Sequence, residues 1–166
     1  MKTIENAYGG KTIASRSERM ATVYNPATGE ATARLPLSTS DEVNAAVAAA
    51  KSAAESWGNT PPMRRVAPMF RFKELLQKNA DEIARAISAE HGKTHPDALG
   101  ELQRGIEVVD FACGIPHLIK GEYSRNIGPD IDSWSDRQPL GVAAGITPFN
   151  FPAMVPMWMF PVAVAC

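Results

Sequence analysis

The order of segments in this 166-residue chain predicts an α/β fold of which the opening part is present. Three observations carry that reading. A strand–turn–strand pattern occupies Thr22 to Leu35. Amphipathic helical segments follow from Thr39 to about Ala112. An uncharged apolar segment, Val142 to Thr147, then reads as a buried strand that turns at Asn150 into an apolar helix from Pro152. A hairpin, several helices, a polar excursion and one buried strand are how an α/β sheet begins, with most of the sheet still to come.

Each element has its own local warrant. Thr22-Val23-Tyr24, the turn Asn25-Pro26-Ala27-Thr28-Gly29-Glu30 and Ala31 to Leu35 make the hairpin. Thr39 with Glu42 is a capping box for a first helix whose face is Val43, Ala46, Val47, Ala50, Ala54 and Trp57, ended by Gly58. Thr60-Pro61-Pro62 opens another helix with proline at its permitted first position. Pro68 divides the span Met63 to Lys78 into two pieces. Asn79 with Glu82 offers a second capping box, for a helix to about Glu90 stopped by Gly92. A longer helix runs from about Asp97 to Ala112. Leu102, Ile106, Val109 and Cys113 line one face, and Val108 and Phe111 point the other way, so both sides are expected to be covered. Gly121 to Arg137 is polar and turn-rich, an extended excursion.

The bulk numbers describe an ordinary globular protein: 45% hydrophobic and 21% charged residues, with a formal charge of −1. That charge gives no reason to expect nucleic acid or an anionic membrane as partner. Two cysteines, Cys113 and Cys166, are too few for a disulfide framework. The first ten residues carry no apolar core and no Arg-rich pattern, so a cytoplasmic, bacterial protein is the plain expectation. No charge occurs after Arg137. A membrane anchor over Leu140 to Cys166 is one reading of that stretch. Against it stand Pro139, Pro148, Pro152, Pro156 and Pro161, which interrupt the backbone ladder a spanning helix needs. An apolar helix ending without a polar cap predicts instead a truncated chain whose last segment is poorly buried.

Asn150 is the first residue with chemical promise. An amide held between a strand and a helix can aim N–H donors at a developing oxyanion. The plainer role is capping of the helix at Pro152. Arg104 is the second: a planar guanidinium can hold a carboxylate bidentately, or it can pair on the surface with Glu101 or Glu107. Cys113 reads as a small buried hydrophobe. His91 and His95 lie four apart, but Gly92 and Pro96 break the helix that a metal pair would share. No metal site, Gly-rich dinucleotide fingerprint or Walker loop is present in the sequence.

Gly145-Ile146-Thr147-Pro148-Phe149-Asn150-Phe151-Pro152 and the following Met-Val-Pro-Met-Trp-Met-Phe run resemble the oxyanion-asparagine segment of the aldehyde dehydrogenase superfamily. Phe149 stands where most relatives carry Trp. Asn25 to Glu30, Glu90-His91-Gly92-Lys93-Thr94 and the helix around Arg104 extend the likeness from about Tyr24 to Cys166. Within the superfamily the chain most resembles CoA-acylating methylmalonate-semialdehyde dehydrogenases. The resemblance implies that Asn150 donates to the thiohemiacetal oxygen, that Thr147 and Phe149 border the nicotinamide of NAD, and that Arg104 anchors the substrate carboxylate. The chemistry implied is oxidation of methylmalonate or malonate semialdehyde with NAD and CoA, with loss of carbon dioxide, giving propanoyl-CoA or acetyl-CoA. The catalytic cysteine of that family aligns downstream of Cys166, so this chain alone is expected to be inactive and the complete enzyme to be a tetramer. In domain terms the resemblance divides the chain into 1–120, hairpin and helices of the cofactor-binding domain; 121–139, part of an oligomerisation arm; and 140–166, the first core strand and helix of the cofactor sheet. The competing reading is a non-catalytic helical interaction module that uses its apolar C-terminal segment to bind a partner.

Overall fold

A computed structural model describes all of residues 1–166. Strands β1 (Lys2–Thr3), β2 (Asn6–Tyr8), β3 (Lys11–Ile13), β4 (Met20–Tyr24) and β5 (Ala31–Pro36) come first. The expected hairpin is β4 against β5, antiparallel, with Met20 opposite Pro36 and Thr22 opposite Arg34. Its turn closes where Asn25 Oδ1 accepts from the Ala27 N–H at 2.9 Å and the Gly29 N–H donates to the Asn25 carbonyl at 2.8 Å. β1 adds to β5 in parallel, Lys2 opposite Ala33. β2 and β3 form a separate hairpin around Gly9 and Gly10, at φ 61° and 71°. Two successive positive φ angles at a two-residue turn are what glycine tolerates best.

Helix α1 spans Ser40–Gly58, with the Thr39–Glu42 capping box formed as expected. Glu42 does more than cap. Its carboxylate accepts from the Thr39 N–H, the Arg16 N–H and the Ser15 hydroxyl at 2.7, 2.7 and 3.0 Å. These bonds lower its pKa to about 2, the Thr39 backbone donor contributing most. The proposed apolar face of α1 is not covered: no α1 residue is buried, and Val43 and Val47 remain about half exposed.

Then come α2 (Pro62–Arg65) and α3 (Ala67–Lys78), divided at Val66 just before Pro68. Next are α4 (Ala80–His91), α5 (His95–Cys113) and α6 (Ile115–Leu118). Gly92 ends α4 in the left-handed conformation at φ 84°. The second capping box does not form. Asn79 lies at φ −107°, ψ 19°, not in the extended conformation that Thr39 adopts, and its side chain accepts no bond from α4. Its amide donates to the Leu75 carbonyl at 2.8 Å and closes the end of α3. Strands β6 (Tyr123–Gly128) and β7 (Ile131–Trp134) turn the polar excursion into an exposed antiparallel hairpin. The last helix, α7, is Met154–Ala165.

The core lies where α3, α4 and α7 converge on α5. Leu76, Ala84, Ile87, Ala98, Leu102, Ile106, Val109 and Met157 form its main cluster. A second cluster, Val66, Ala112, Ile115 and Ala165, joins the α2–α3 junction, α5, α6 and the end of α7. One face of α5 is therefore buried as its spacing predicts. Its other face is not: Phe111 is 55% exposed, which corrects the expectation of a helix covered on both sides. At Gly105 the α5 and α7 backbones come together, since a Cβ there would sit 3.4 Å from Met154 Cα and 2.3 Å from the Met157 methyl.

The buried strand over Val142 to Thr147 is not found. Residues 141–148 have no regular secondary structure, and 141–150 are exposed throughout. No strand lies alongside to share a hydrogen-bond ladder, and apolar β-prone sequence alone does not make a strand. No helix is long and apolar enough to cross a membrane.

Candidate active site

Helix α7 contains no charged residue and no side-chain cap at its N-terminus. Isolated, it would leave its first N–H groups and last carbonyls unpaired. Other elements supply both ends. At the start, Glu101 of α5 accepts from the Ala153 and Met154 N–H groups through one oxygen, at 2.9 and 3.1 Å. At the finish, Arg65 of α2 donates from Nε to the Ala165 carbonyl at 3.1 Å and from Nη1 to the Gly58 carbonyl at 3.2 Å. Trp57 Nε1 of α1 adds a bond to the Val164 carbonyl at 2.8 Å. An acid at the N-terminus and a base at the C-terminus also suit the helix dipole.

Glu101 is fully buried. Burial pushes its carboxyl pKa upward, but donors from Lys93, Ala153 and Met154 outweigh that and hold it below its ordinary value. Lys93 Nζ meets the second carboxylate oxygen at 2.5 Å and also donates to the Asn150 carbonyl at 3.1 Å. The same ammonium lies 4.5 Å from the centre of the Phe151 ring. The Arg104 guanidinium approaches that ring to 5.6 Å. A buried ion pair thus sits directly beneath the turn 149–153.

Asn150 occupies the bend of this turn and is exposed. Its side chain does not cap α7; the N-cap position falls to Ala153, so the plain capping role is excluded. Its backbone is tied down while its amide is left for another partner. Thr147 and Phe149 are both exposed, Phe149 at 89%. Arg104 is exposed and its Nε donates to the Gly100 carbonyl at 3.2 Å. Neither proposed surface partner takes it: Glu101 belongs to Lys93, and Glu107 accepts from Gln103 at 3.4 Å. The Phe151 contact brings Arg104 of α5 to the Asn150 turn.

Cys113 is buried, and burial first, then the nearby Asp110 charge, raises its thiol pKa. A thiol kept protonated is a poor nucleophile. His91 closes α4 and His95 opens α5, where His95 Nε2 lies 2.9 Å from Asp81 Oδ1. The two do not share a helix face.

Sequence reasoning missed Lys93 and Glu101 as partners in the site. The signal existed: Glu101 falls within the spacing Ala98, Leu102, Gly105, Ile106, Val109, a stripe that is otherwise apolar. A carboxylate on a core stripe calls for a buried cation and donors.

The chain matches the Aldehyde dehydrogenase family over residues 12–166 and belongs to that family. It is 54% identical over 166 residues to the malonate-semialdehyde dehydrogenase of Pseudomonas aeruginosa, covering 100% of this chain and 33% of that relative. It is 50% identical over 163 residues to the acylating, mitochondrial methylmalonate-semialdehyde dehydrogenase of Arabidopsis thaliana, covering 98% of this chain and 27% of the relative. The crystal structure of methylmalonate-semialdehyde dehydrogenase from Oceanimonas doudoroffii superposes with a TM-score of 0.96 at 57% identity, over 100% of this chain and 34% of that one. A Sinorhizobium meliloti structure complexed with NAD gives 0.97 at 47% identity, over the same shares. The chain thus spans about a third of the length of these relatives. Its mixed α/β architecture is that of the N-terminal third of an aldehyde dehydrogenase fold.

Proposed function

We propose that this chain supplies the N-terminal third of an enzyme that oxidises malonate or methylmalonate semialdehyde with NAD and passes the acyl group to CoA, releasing carbon dioxide as propanoyl-CoA or acetyl-CoA forms. The observation that carries this is the Asn150 turn: backbone clamped, side-chain amide free, at the head of an apolar helix. In the complete enzyme a cysteine thiolate outside this chain attacks the aldehyde carbon. The carbonyl oxygen becomes an oxyanion, and the Asn150 amide donates to it. A donor already fixed in place stabilises that charge without reorganising, and removing one such donor typically costs about 10²–10³ in rate.

The residues flanking the turn suit a nicotinamide. Phe149 presents an exposed aromatic face and Thr147 an exposed hydroxyl, on a segment whose backbone is not committed to a sheet. NAD, when bound, accepts hydride. Thr147 and Phe149 border its ring, and the chain's part is to keep them beside Asn150. Arg104, exposed above Phe151, anchors the carboxylate of the semialdehyde. Segment 1–120 belongs to the cofactor-binding domain, and 140–166 becomes the first strand and helix of its sheet once neighbours pair with it. The exposed β6–β7 hairpin, within 121–139, serves as part of an oligomerisation arm, and the complete enzyme is a cytoplasmic tetramer.

The test is NAD- and CoA-dependent oxidation of both semialdehydes by the complete enzyme. Asn150→Ala is expected to lower kcat about 10²–10³-fold while NAD binding is retained. The 166-residue chain alone is expected to form no NADH. An Asn150→Ala enzyme of normal kcat, or NADH formation by the chain alone, overturns the assignment.

A further inference from the structure

We propose that Lys93 and Glu101 are positioning residues: their buried ion pair sets where Asn150 stands, and thereby how well its amide meets the oxyanion. The inference rests on the reading of Asn150 given above and extends it to two residues that touch no substrate.

The turn 149–153 has little to hold it from within. It follows an exposed segment with no ladder partner, and the first bonds of α7 are long, 3.4 Å from the Val155 N–H to the Phe151 carbonyl and 3.3 Å from Met157 to Ala153. What fixes it comes from α5 and the α4–α5 connection. Glu101 receives the Ala153 and Met154 N–H groups, which sets the start of α7. Lys93 bonds both Glu101 and the Asn150 carbonyl, which sets the residue itself. The Phe151 ring under the same ammonium fixes the direction in which the chain leaves.

Both groups are shielded, the Lys93 side chain 11% exposed and the Glu101 side chain 0%. They therefore act through the turn. As an ionised pair at 2.5 Å their charges largely cancel at a distance, so their effect on an oxyanion is through geometry. The geometry matters steeply: a donor must lie about 2.7–3.1 Å from the oxyanion, and a displacement of about 1 Å can cost about 10²-fold.

The experiment is a double-mutant cycle in the complete enzyme, read as the single-turnover rate of NADH formation. Lys93→Met is expected to slow that rate about 10- to 100-fold with the aldehyde KM within about two-fold. In an Asn150→Ala background the same change is expected to add less than about two-fold, because the residue it positions is gone. Removing Lys93 alone strands a buried carboxylate. The paired variant Lys93→Met/Glu101→Gln removes both charges and is carried through the same cycle, so that a misfolded single variant does not end the test. Independent, multiplying effects of Lys93 and Asn150, or an unchanged NADH rate in both Lys93 variants, overturn the positioning role while leaving Asn150 in place. A normal rate in Asn150→Ala alone removes the oxyanion reading, and the positioning role falls with it.

Discussion

Two neighbouring apolar segments meet opposite fates. Residues 154–165 form a helix held at both ends by buried side chains, while residues 141–148, also uncharged, have no regular structure and lie exposed. Absence of charge does not separate them. The difference lies in where backbone hydrogen bonds go. A helix satisfies most of its own, and Glu101, Arg65 and Trp57 supply what remains at its ends. A strand satisfies none of its own, and although Gly145 lies close to Met159 of α7, no neighbouring strand offers this segment a hydrogen-bond ladder. Asn150 sits at the junction, and its turn is held by Glu101 of α5 and by Lys93 in the α4–α5 connection.

Glu101 is the place to break this comparison. Glu101→Leu leaves Lys93 without its partner and two helix N–H groups bare, and is expected to destabilise the chain by about 3–5 kcal/mol. Ile146→Ser, in the exposed segment, is expected to change stability by less than about 0.5 kcal/mol. Urea titration followed by circular dichroism checks both. Equal losses would mean that the extended segment is packed after all.

The C-terminal tie is next in size. Arg65 is 4% exposed and bonds the Ala165 and Gly58 carbonyls. Arg65→Met keeps much of the packing and loses both bonds, for an expected cost of about 1.5–3 kcal/mol. Hydrogen exchange should show the loss at the end of α7 while the amides of 142–147 exchange rapidly in every variant.

What the sequence made legible follows the same division. Helices announced by strong local grammar were readable: Thr39 with Glu42, proline at the opening of α2, Gly92 after α4, and the stripe of α5. Asn79 misled because its backbone continues from the end of α3 at φ −107°, ψ 19° and does not take the extended turn a capping side chain needs. The Gly9-Gly10 hairpin had a readable turn, but its strands are only three residues each, too short for alternation to register. The Val142 to Thr147 strand failed because sheet formation depends on a partner that local sequence cannot supply. At the site, Asn150 and Arg104 stood out by residue type. Glu101 was marked only as a carboxylate on an apolar stripe, and Lys93 becomes its partner only when the α4–α5 connection is folded back against the start of α7.

Acid sharpens the contrast by a smaller amount. Glu101 has a folded-state pKa below its ordinary value, so its contribution is complete above the unfolded carboxyl pKa of about 4.3 and is lost as pH falls through the lower folded value. The chain's stability should therefore decline toward acid pH, with α7 loosening in that range. Glu101→Gln, which keeps an acceptor and cannot titrate, should flatten that decline. An acid limb of unchanged slope in Glu101→Gln would assign the pH dependence elsewhere, with Glu42, also held below its ordinary pKa, the next group to replace.

Arg104 gives the smallest effect on the fold and a selective one on function. It is exposed, and its stack on Phe151 at 5.6 Å is worth about 0.5–1 kcal/mol at a site of that kind. Arg104→Ala should thus cost the chain no more than about 1 kcal/mol, well below Glu101→Leu. In the complete enzyme the same change should raise KM for malonate semialdehyde and leave kcat near normal, because a carboxylate anchor contributes equally to ground and transition states. Propanal, which has no carboxylate, supplies the internal control: its KM should not move. A matching rise in KM for both aldehydes would mean that Arg104 acts through Phe151 on the turn, which would move it from the substrate to the brace that holds Asn150.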